Sequence, residues 1–310
     1  MKSPGIFRYH KTWRKEPMKL SIISDQISDR PEEAFPKIRE AGYEYTELHN
    51  IYDKTIEQLD EAETAHVKKL LADNGLKAAS LATTVYFVCP LYPNDHVTGF
   101  NDAFHVTEGD RTVHLRRLER ACQISAELEA PVIRLFPFRF PDNRKPPFGG
   151  EADMETIVSA MKEASDIAAP YDVTLAVENC PYSHLPKGEM TLELIRRTDR
   201  PNVRLLYDPA NSYRAVKENV PERYLSWDLK KEVKELAPYI AHVHVKSYHY
   251  DPSVQPKPFV HVAAGRGDIS YEELLPELEA LGYTGALSLE PEVGPEETVE
   301  SMKWMYDRFR

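Results

Sequence analysis

Four segments in the second half of the chain end on side chains that can hold a metal or move a proton. They are TLAVEN with Glu178, VRLLYDPAN with Asp208, AHVHVK with His242, His244 and Lys246, and GALSLEPE with Glu290. Each alternates polar or small residues with leucine or valine, the period of a β-strand with one face toward a core. Glu178 shares its face with Thr174 and Ala176, Asp208 with Leu206 and Arg204, and Glu290 with Ala286 and Ser288. Two glutamates, an aspartate and a histidine converging at one point make a hard, mostly oxygen site. That donor set suits one divalent metal, Mn²⁺ first, with Mg²⁺, Co²⁺ or Zn²⁺ accommodated, and leaves positions open for substrate oxygens. A single acid at a strand end is ordinarily a salt bridge or a loop cap. Four in register resist that explanation, because crowded carboxylates repel unless a cation lies between them.

Such a site needs a scaffold that brings strand ends together, and strand-like and helix-like segments alternate from about residue 18 onward. Strands are expected at MKLSIISDQ, YEYTELHN, LKAASLATT, PVIRLFPF, VTLAVEN, NVRLLYD, YIAHVHVKS and GALSLEPE. Helices are expected across 31–41, 56–74, 111–129, 151–169, near 190–198, through 210–237, and across 270–281 and 296–309. The spacing Ser270-x-x-Glu273 predicts a capping box at the start of the seventh of these. Eight strand–helix units predict an α/β fold of the (β/α)8 TIM barrel type, in which functional residues sit at the C-terminal ends of strands. An open doubly wound sheet would announce a glycine-rich turn after its first strand. The residues after Ile23 are Ser-Asp-Gln-Ile-Ser-Asp, without glycine. The expected organisation is an N-terminal extension over residues 1–17 and a single barrel domain over 18–310.

Composition narrows the partners. A net charge of −11 over 310 residues argues against a nucleic-acid partner, because phosphate binding rests on lysine and arginine. No apolar run is long enough to span a membrane, and the basic N-terminus lacks the hydrophobic stretch of a signal peptide. Three widely spaced cysteines form neither a disulfide framework nor a metal motif, so a reducing cytoplasm is the expected compartment. No membrane partner is expected, and a homo-oligomer is compatible with the sequence but not selected by it.

The segments LAVEN, LLYDPAN, HVHVK and GRGDISYEELLPELEALGYTGALSLEPE resemble the xylose isomerase-like barrel superfamily, nearest in pattern to sugar-phosphate isomerase/epimerase proteins such as the D-tagatose and D-psicose 3-epimerases. The resemblance runs over nearly the whole chain after residue 18 and is strongest over 173–292. It implies one divalent metal held by Glu178, Asp208, His244 and Glu290, with Glu178 and Glu290 doubling as an acid/base pair on opposite sides of the substrate. The implied activity is a metal-dependent isomerase or epimerase of a keto sugar or its derivative. Two carboxylates on opposite faces let one abstract an α-proton and the other return it, while the metal steadies the enediolate. The departures leave a metal-dependent lyase or dehydratase, acting on a keto-inositol or an oxidised sugar, as the alternative. Asn211 stands where the epimerases usually carry a histidine, and Lys246 with the loop YHYDPSVQPK replaces their Gly-Glu-x-x-Arg run. The related endonuclease chemistry uses a histidine-rich three-metal cluster, which Asn211 and the acidic charge disfavour.

Five residues are substrate-contact candidates. Glu47 and His49 alternate at the end of the second strand and are expected to face the barrel mouth or a solvated loop. Arg134 is expected to pair with an interior acid or touch substrate. Lys246 either neutralises a substrate anion or pairs with an acidic ligand, and Asn211 lies beside the metal aspartate. His242 is expected to support the site rather than bind metal. The aromatic loops YFVCPLYP and FPFRFP would lie on the catalytic side. GRGDIS reads as a turn rather than a phosphate cradle, since it lacks the P-loop lysine.

Overall fold

Alternating apolar positions draw eight segments into strands: β1 (Lys19–Ile22), β2 (Tyr45–Leu48), β3 (Lys77–Leu81), β4 (Val132–Leu135), β5 (Thr174–Glu178), β6 (Val203–Tyr207), β7 (Ile240–Val245) and β8 (Ala286–Leu289). In the computed structural model, which describes residues 18–99, 105–215 and 220–310, they form one parallel sheet in the order β1-β8-β7-β6-β5-β4-β3-β2. A parallel bridge between Ile23 and Glu47 brings its two edges together, so the sheet is the expected TIM barrel. The expected extension over residues 1–17 lies outside the described residues.

Around the sheet lie α1 (Pro31–Glu40), α2 (Glu61–Asp73), α3 (Arg111–Leu128), α4 (Glu151–Ala168), α5 (Gly188–Thr198), α6 (Pro209–Arg214), α7 (Leu229–Leu236), α8 (Tyr271–Ala280) and α9 (Pro295–Phe309). Outward-facing strand residues such as Leu175, Val177, Leu205, Val243 and Leu287 join helix residues such as Leu118, Met161 and Ile195 in one buried cluster. Each such side chain contributes about 1.5–3 kcal/mol through its removal from water. The opposite face lines the barrel interior, where Val132, Ala176 and Leu206 form a small apolar layer. Two residues further along the same strands stand Arg134, Glu178 and Asp208, so the alternation that builds the layer also lifts the charged groups to the mouth.

Several boundaries differ from expectation. The helix expected over 56–74 is a 3₁₀ turn at Ile56–Gln58 followed by α2, because Asp60 caps α2 in a reciprocal box with Glu63. The box expected at Ser270 is not formed; Ser270 contributes no side-chain bond to α8. The helical stretch expected over 210–237 is divided between α6 and α7, and Asp228 caps the latter by accepting from the Lys231 amide. Beyond β7, Ser247–Tyr250 pairs antiparallel with Phe259–Val262 in a hairpin the sequence did not suggest. GRGDIS packs against that hairpin. A Cβ on Gly267 would come within 2.5 Å of the Tyr248 carbonyl oxygen, and the Asp268 amide donates to that oxygen at 2.8 Å. Cys89, Cys122 and Cys180 are all buried and unpaired. Among the described residues no helix is long and apolar enough to cross a membrane.

Candidate metal centre

Glu178 ends β5, Asp208 follows β6, His244 lies in β7 and Glu290 follows β8. All four are buried, and each offers a ligand atom within 4.8 Å of the others'. Local bonds aim them. Asp208 is clamped by Asn179, which accepts from its amide and donates to its carbonyl, both at 2.8 Å. The Asp208 Oδ1 caps α6 by accepting from the Asn211 amide at 2.9 Å, which turns Oδ2 toward the centre. That Oδ2 is enclosed and meets the Lys246 ammonium at 3.1 Å, and the equally enclosed His244 Nδ1 lies 3.3 Å from Glu290 Oε2. These two atoms, converging with the carboxylates of Glu178 and Glu290, make a donor set that fits a divalent cation bound through oxygen and one imidazole nitrogen.

Beneath the centre, Glu47 takes a place that the sequence reading missed. It is completely buried, with Oε2 at 2.9 Å from His242 Nε2 and 3.1 Å from His244 Nε2. A carboxylate only accepts, so both Nε2 atoms carry protons; His244 Nδ1 faces the other carboxylates, and against burial Glu47 and Glu290 hold the ring's pKa well above its ordinary value. Burial opposes a charge on Glu47, but the two imidazoles outweigh it and hold its pKa well below the usual range. The expectation that Glu47 faces the mouth or a solvated loop is corrected: the two histidines draw its side chain into the barrel. His49 is buried, and its Nδ1 pairs with Asp25 Oδ2 at 2.9 Å. His242, which also meets Ser80 Oγ at 3.3 Å, has the supporting position expected of it.

Two cations border the carboxylates. Arg134 reaches Glu178 Oε2 at 3.2 Å and Glu290 Oε1 at 3.7 Å, and is held by the carbonyls of Ala82 and Thr83. Lys246 Nζ lies 2.6 Å from Glu290 Oε2 and 3.1 Å from Asp208 Oδ2. Of the two readings open for Lys246, pairing with the acidic groups is the one seen. The environments separate the two glutamates. Burial, helped by the Glu290 charge, pushes Glu178 up to about 7 against the pull of Arg134. Glu290 is as enclosed, but Lys246, His244 and Arg134 hold it well below the carboxylate range. One carboxyl is thus poised to carry a proton near neutrality while its neighbour stays ionised.

These groups open into a cavity of about 320 Å³ lined by Glu178, Glu290, Arg134, Asn211 and Lys246. Asn211 Nδ2 donates to Glu178 Oε1 at 3.0 Å. Phe87 and Phe136, from the two aromatic loops, pack with ring centroids 4.6 Å apart and give the cavity an apolar wall. The rest of the wall is lined by Tyr182, Arg214, Tyr248, Lys257 and His261, none of which the sequence singles out as a candidate. Tyr248 and Lys257 belong to the loop YHYDPSVQPK that the sequence marks as a departure, and Arg214 leaves a signal too, since it stands three residues after Asn211 in α6, a spacing that shares a face.

The fold has many relatives. The chain superposes on D-allulose 3-epimerase of Methylomonas sp. in complex with D-allulose with a TM-score of 0.67 at 16% identity, covering 95% of this chain and 98% of that one. It superposes on the IolI protein with a bound zinc atom with a TM-score of 0.68 at 17% identity, covering 93% and 96%. A probable 3-DHS dehydratase, AsbF of Bacillus anthracis, gives a TM-score of 0.68 at 15% identity, covering 94% and 100%. At these identities the likeness shows the fold. An uncharacterized protein of Methanocaldococcus jannaschii is 26% identical over 136 residues, and the chain spans 41% of the length of that curated relative. Residues 35–308, nearly the whole barrel, match the xylose isomerase-like TIM barrel family, and the chain belongs to it.

Proposed function

We propose that this chain is a divalent-metal-dependent isomerase or epimerase of a keto sugar or sugar derivative, working by α-proton transfer within a single barrel domain over 18–310. The convergence of Glu178, Asp208, His244 and Glu290 carries this reading. Glu178, Asp208, His244 and Glu290 would hold one divalent cation, Mn²⁺ in first place, which would supply Lewis-acid stabilisation of the negative charge that develops on the substrate. Glu178 and Glu290 exchange the proton, and the separation of their proton affinities gives each a distinct role. Arg134 and Glu47 hold the two glutamates and His244 in place, and the aromatic wall excludes water. The folds shared with a D-allulose epimerase and with a zinc-bound IolI support the same reading. Incubation of a panel of ketoses with the Mn²⁺-loaded protein in D₂O tests it. Deuterium enters the α-carbon of at least one of them, and its absence from all would sink the proposal.

A lyase reading rests on Lys246, whose ammonium lies against Glu290, where it can protonate a departing hydroxyl. The probable dehydratase among the structural relatives shares the fold. A product lighter by one water, seen by mass spectrometry, selects this reading over isomerisation.

A further inference from the structure

The metal-type residues occupy one end of the cavity, and the other end carries a guanidinium, Arg214, that forms no salt bridge among the described residues. Arg214 is held between two tyrosines, with its guanidinium carbon 4.8 Å from the Tyr182 ring centre and 5.5 Å from that of Tyr248. Its Nη atoms donate to the two tyrosine hydroxyls, to Tyr248 at 3.3 Å. Those contacts use two of its five N–H donors and none of its charge. Among the described residues Arg214 makes no ion pair, in contrast to Arg134 and Lys246 in the same cavity. A half-buried guanidinium without a counter-charge is costly unless a ligand supplies one. Planar stacking on aromatic rings leaves the free edge of the fork oriented for a carboxylate or phosphate. Lys257, carried on the hairpin loop, lines the same wall and is exposed. His261, in the same lining, stacks edge-on against Tyr248 with ring centroids 4.5 Å apart, and burial, with the positive charges of Lys246 and Arg214, lowers its pKa. Among the described residues of this wall the acid is Glu292, which lies against His261 at 3.2 Å; burial pushes its pKa up against the charges of Lys246 and Arg214, the latter making no salt-bridge contact with it.

We propose that Arg214 and Lys257 form an anion subsite, and that the substrate is a keto sugar derivative with a carboxylate or phosphate at the end remote from the carbon between Glu178 and Glu290. This deepens the metal-dependent isomerase or epimerase reading and rests on it for the orientation of the substrate. The arrangement has a simple logic. The metal end selects vicinal oxygens, which all sugars share, and the cationic end selects the group that distinguishes one class of sugar from the rest.

Three matched ligands test the subsite: D-fructose, D-fructose 6-phosphate and D-fructuronate, titrated calorimetrically into the Mn²⁺-loaded protein. At least one of the acidic sugars binds ten or more times tighter than D-fructose, and which of the two is preferred separates phosphate from carboxylate. Arg214→Met removes most of that preference. Lys257→Met, on an exposed loop where folding is not at stake, reduces it severalfold. Acidic sugars that bind no tighter than D-fructose, or a preference that survives both substitutions, overturn the proposal. The deuterium exchange reports separately on the isomerase reading: anion preference without exchange leaves the subsite standing and removes the isomerase, and exchange without anion preference does the reverse.

Discussion

The ammonium of Lys246 lies 2.6 Å from Oε2 of Glu290, bridging from there to Asp208 across the space that four candidate ligands face. A lysine in this position and a metal compete for the same carboxylates. Lys246→Met therefore raises Mn²⁺ affinity by about tenfold, equivalent to about 1.4 kcal/mol of relieved charge repulsion. In chelator the same variant is destabilised by about 3–5 kcal/mol, because two buried carboxylates lose their partner. Calorimetry with Mn²⁺ and thermal unfolding with and without EDTA measure both, and an unchanged or weaker affinity would show that Lys246 and the ion do not compete.

Glu47 predicts a different response. Glu47→Gln offers one acceptor oxygen where two imidazoles donate, so His244 loses its fixed orientation. Mn²⁺ affinity falls by about 10–100-fold, the usual effect of removing a partner that orients a metal-binding histidine. Stability falls by about 1–3 kcal/mol for the buried donor left unpaired. If Glu47 merely filled space, the affinity would not move.

Substitution of the acid/base pair is expected to abolish exchange without abolishing the fold. Glu178→Gln and Glu290→Gln each lower α-proton exchange by about 10²–10⁴-fold. The double variant is little worse than either single one, since the two residues act as a unit. NMR detection of deuterium wash-in measures the rates, and circular dichroism checks the fold. Additive losses would argue that the glutamates do not share one proton path.

Acid sensitivity has a source remote from the cavity. Asp153 meets His184 Nδ1 and Arg144 Nη1, each at 3.2 Å, and accepts from the Gly149 amide at 3.1 Å. Burial would raise its pKa, but His184 and Arg144 outweigh it, and the carboxyl is held below its ordinary value. Because the folded pKa lies below the unfolded one, the stabilisation is complete above the unfolded value and is lost as the pH falls through the folded one. Urea unfolding at pH 7 is expected to show Asp153→Asn less stable than wild type by about 1–3 kcal/mol. The gap narrows below about pH 4, where the unfolded carboxyl takes up its proton. A gap that is constant with pH would remove the ion pair as its cause.

The barrel was legible because its strands announce themselves locally. Val243 and Val245 face the helices and His242 and His244 the interior, as the period-two pattern of β7 requires. The ends of helices were less legible. Ser270 has the spacing of a cap and does not act as one, whereas Asp60 and Glu63 cap α2 inside a stretch that reads as continuous helix. Whether a capping side chain bonds the backbone depends on the direction in which the chain enters the helix, which spacing does not record. The hairpin beyond β7 was hidden for another reason. Its strands are separated by proline-rich loop residues, and its pairing is held by Asp268 and Gly267 from outside it.

Sequence alone determined which side chains stand at the mouth, because strand alternation and strand order are properties of short segments, and Glu178, Asp208, His244 and Glu290 each lie at the end of one. Only the tertiary structure decided what surrounds them. Glu47 and His242 are 195 residues apart and share a hydrogen bond, and Arg134 meets Glu290 from the far side of the barrel. Charge pairing, the convergence of the ligand atoms and the surroundings of Arg214 depend on distances between strands and loops that only closure of the sheet sets. Proton affinity and ligand preference follow from those distances.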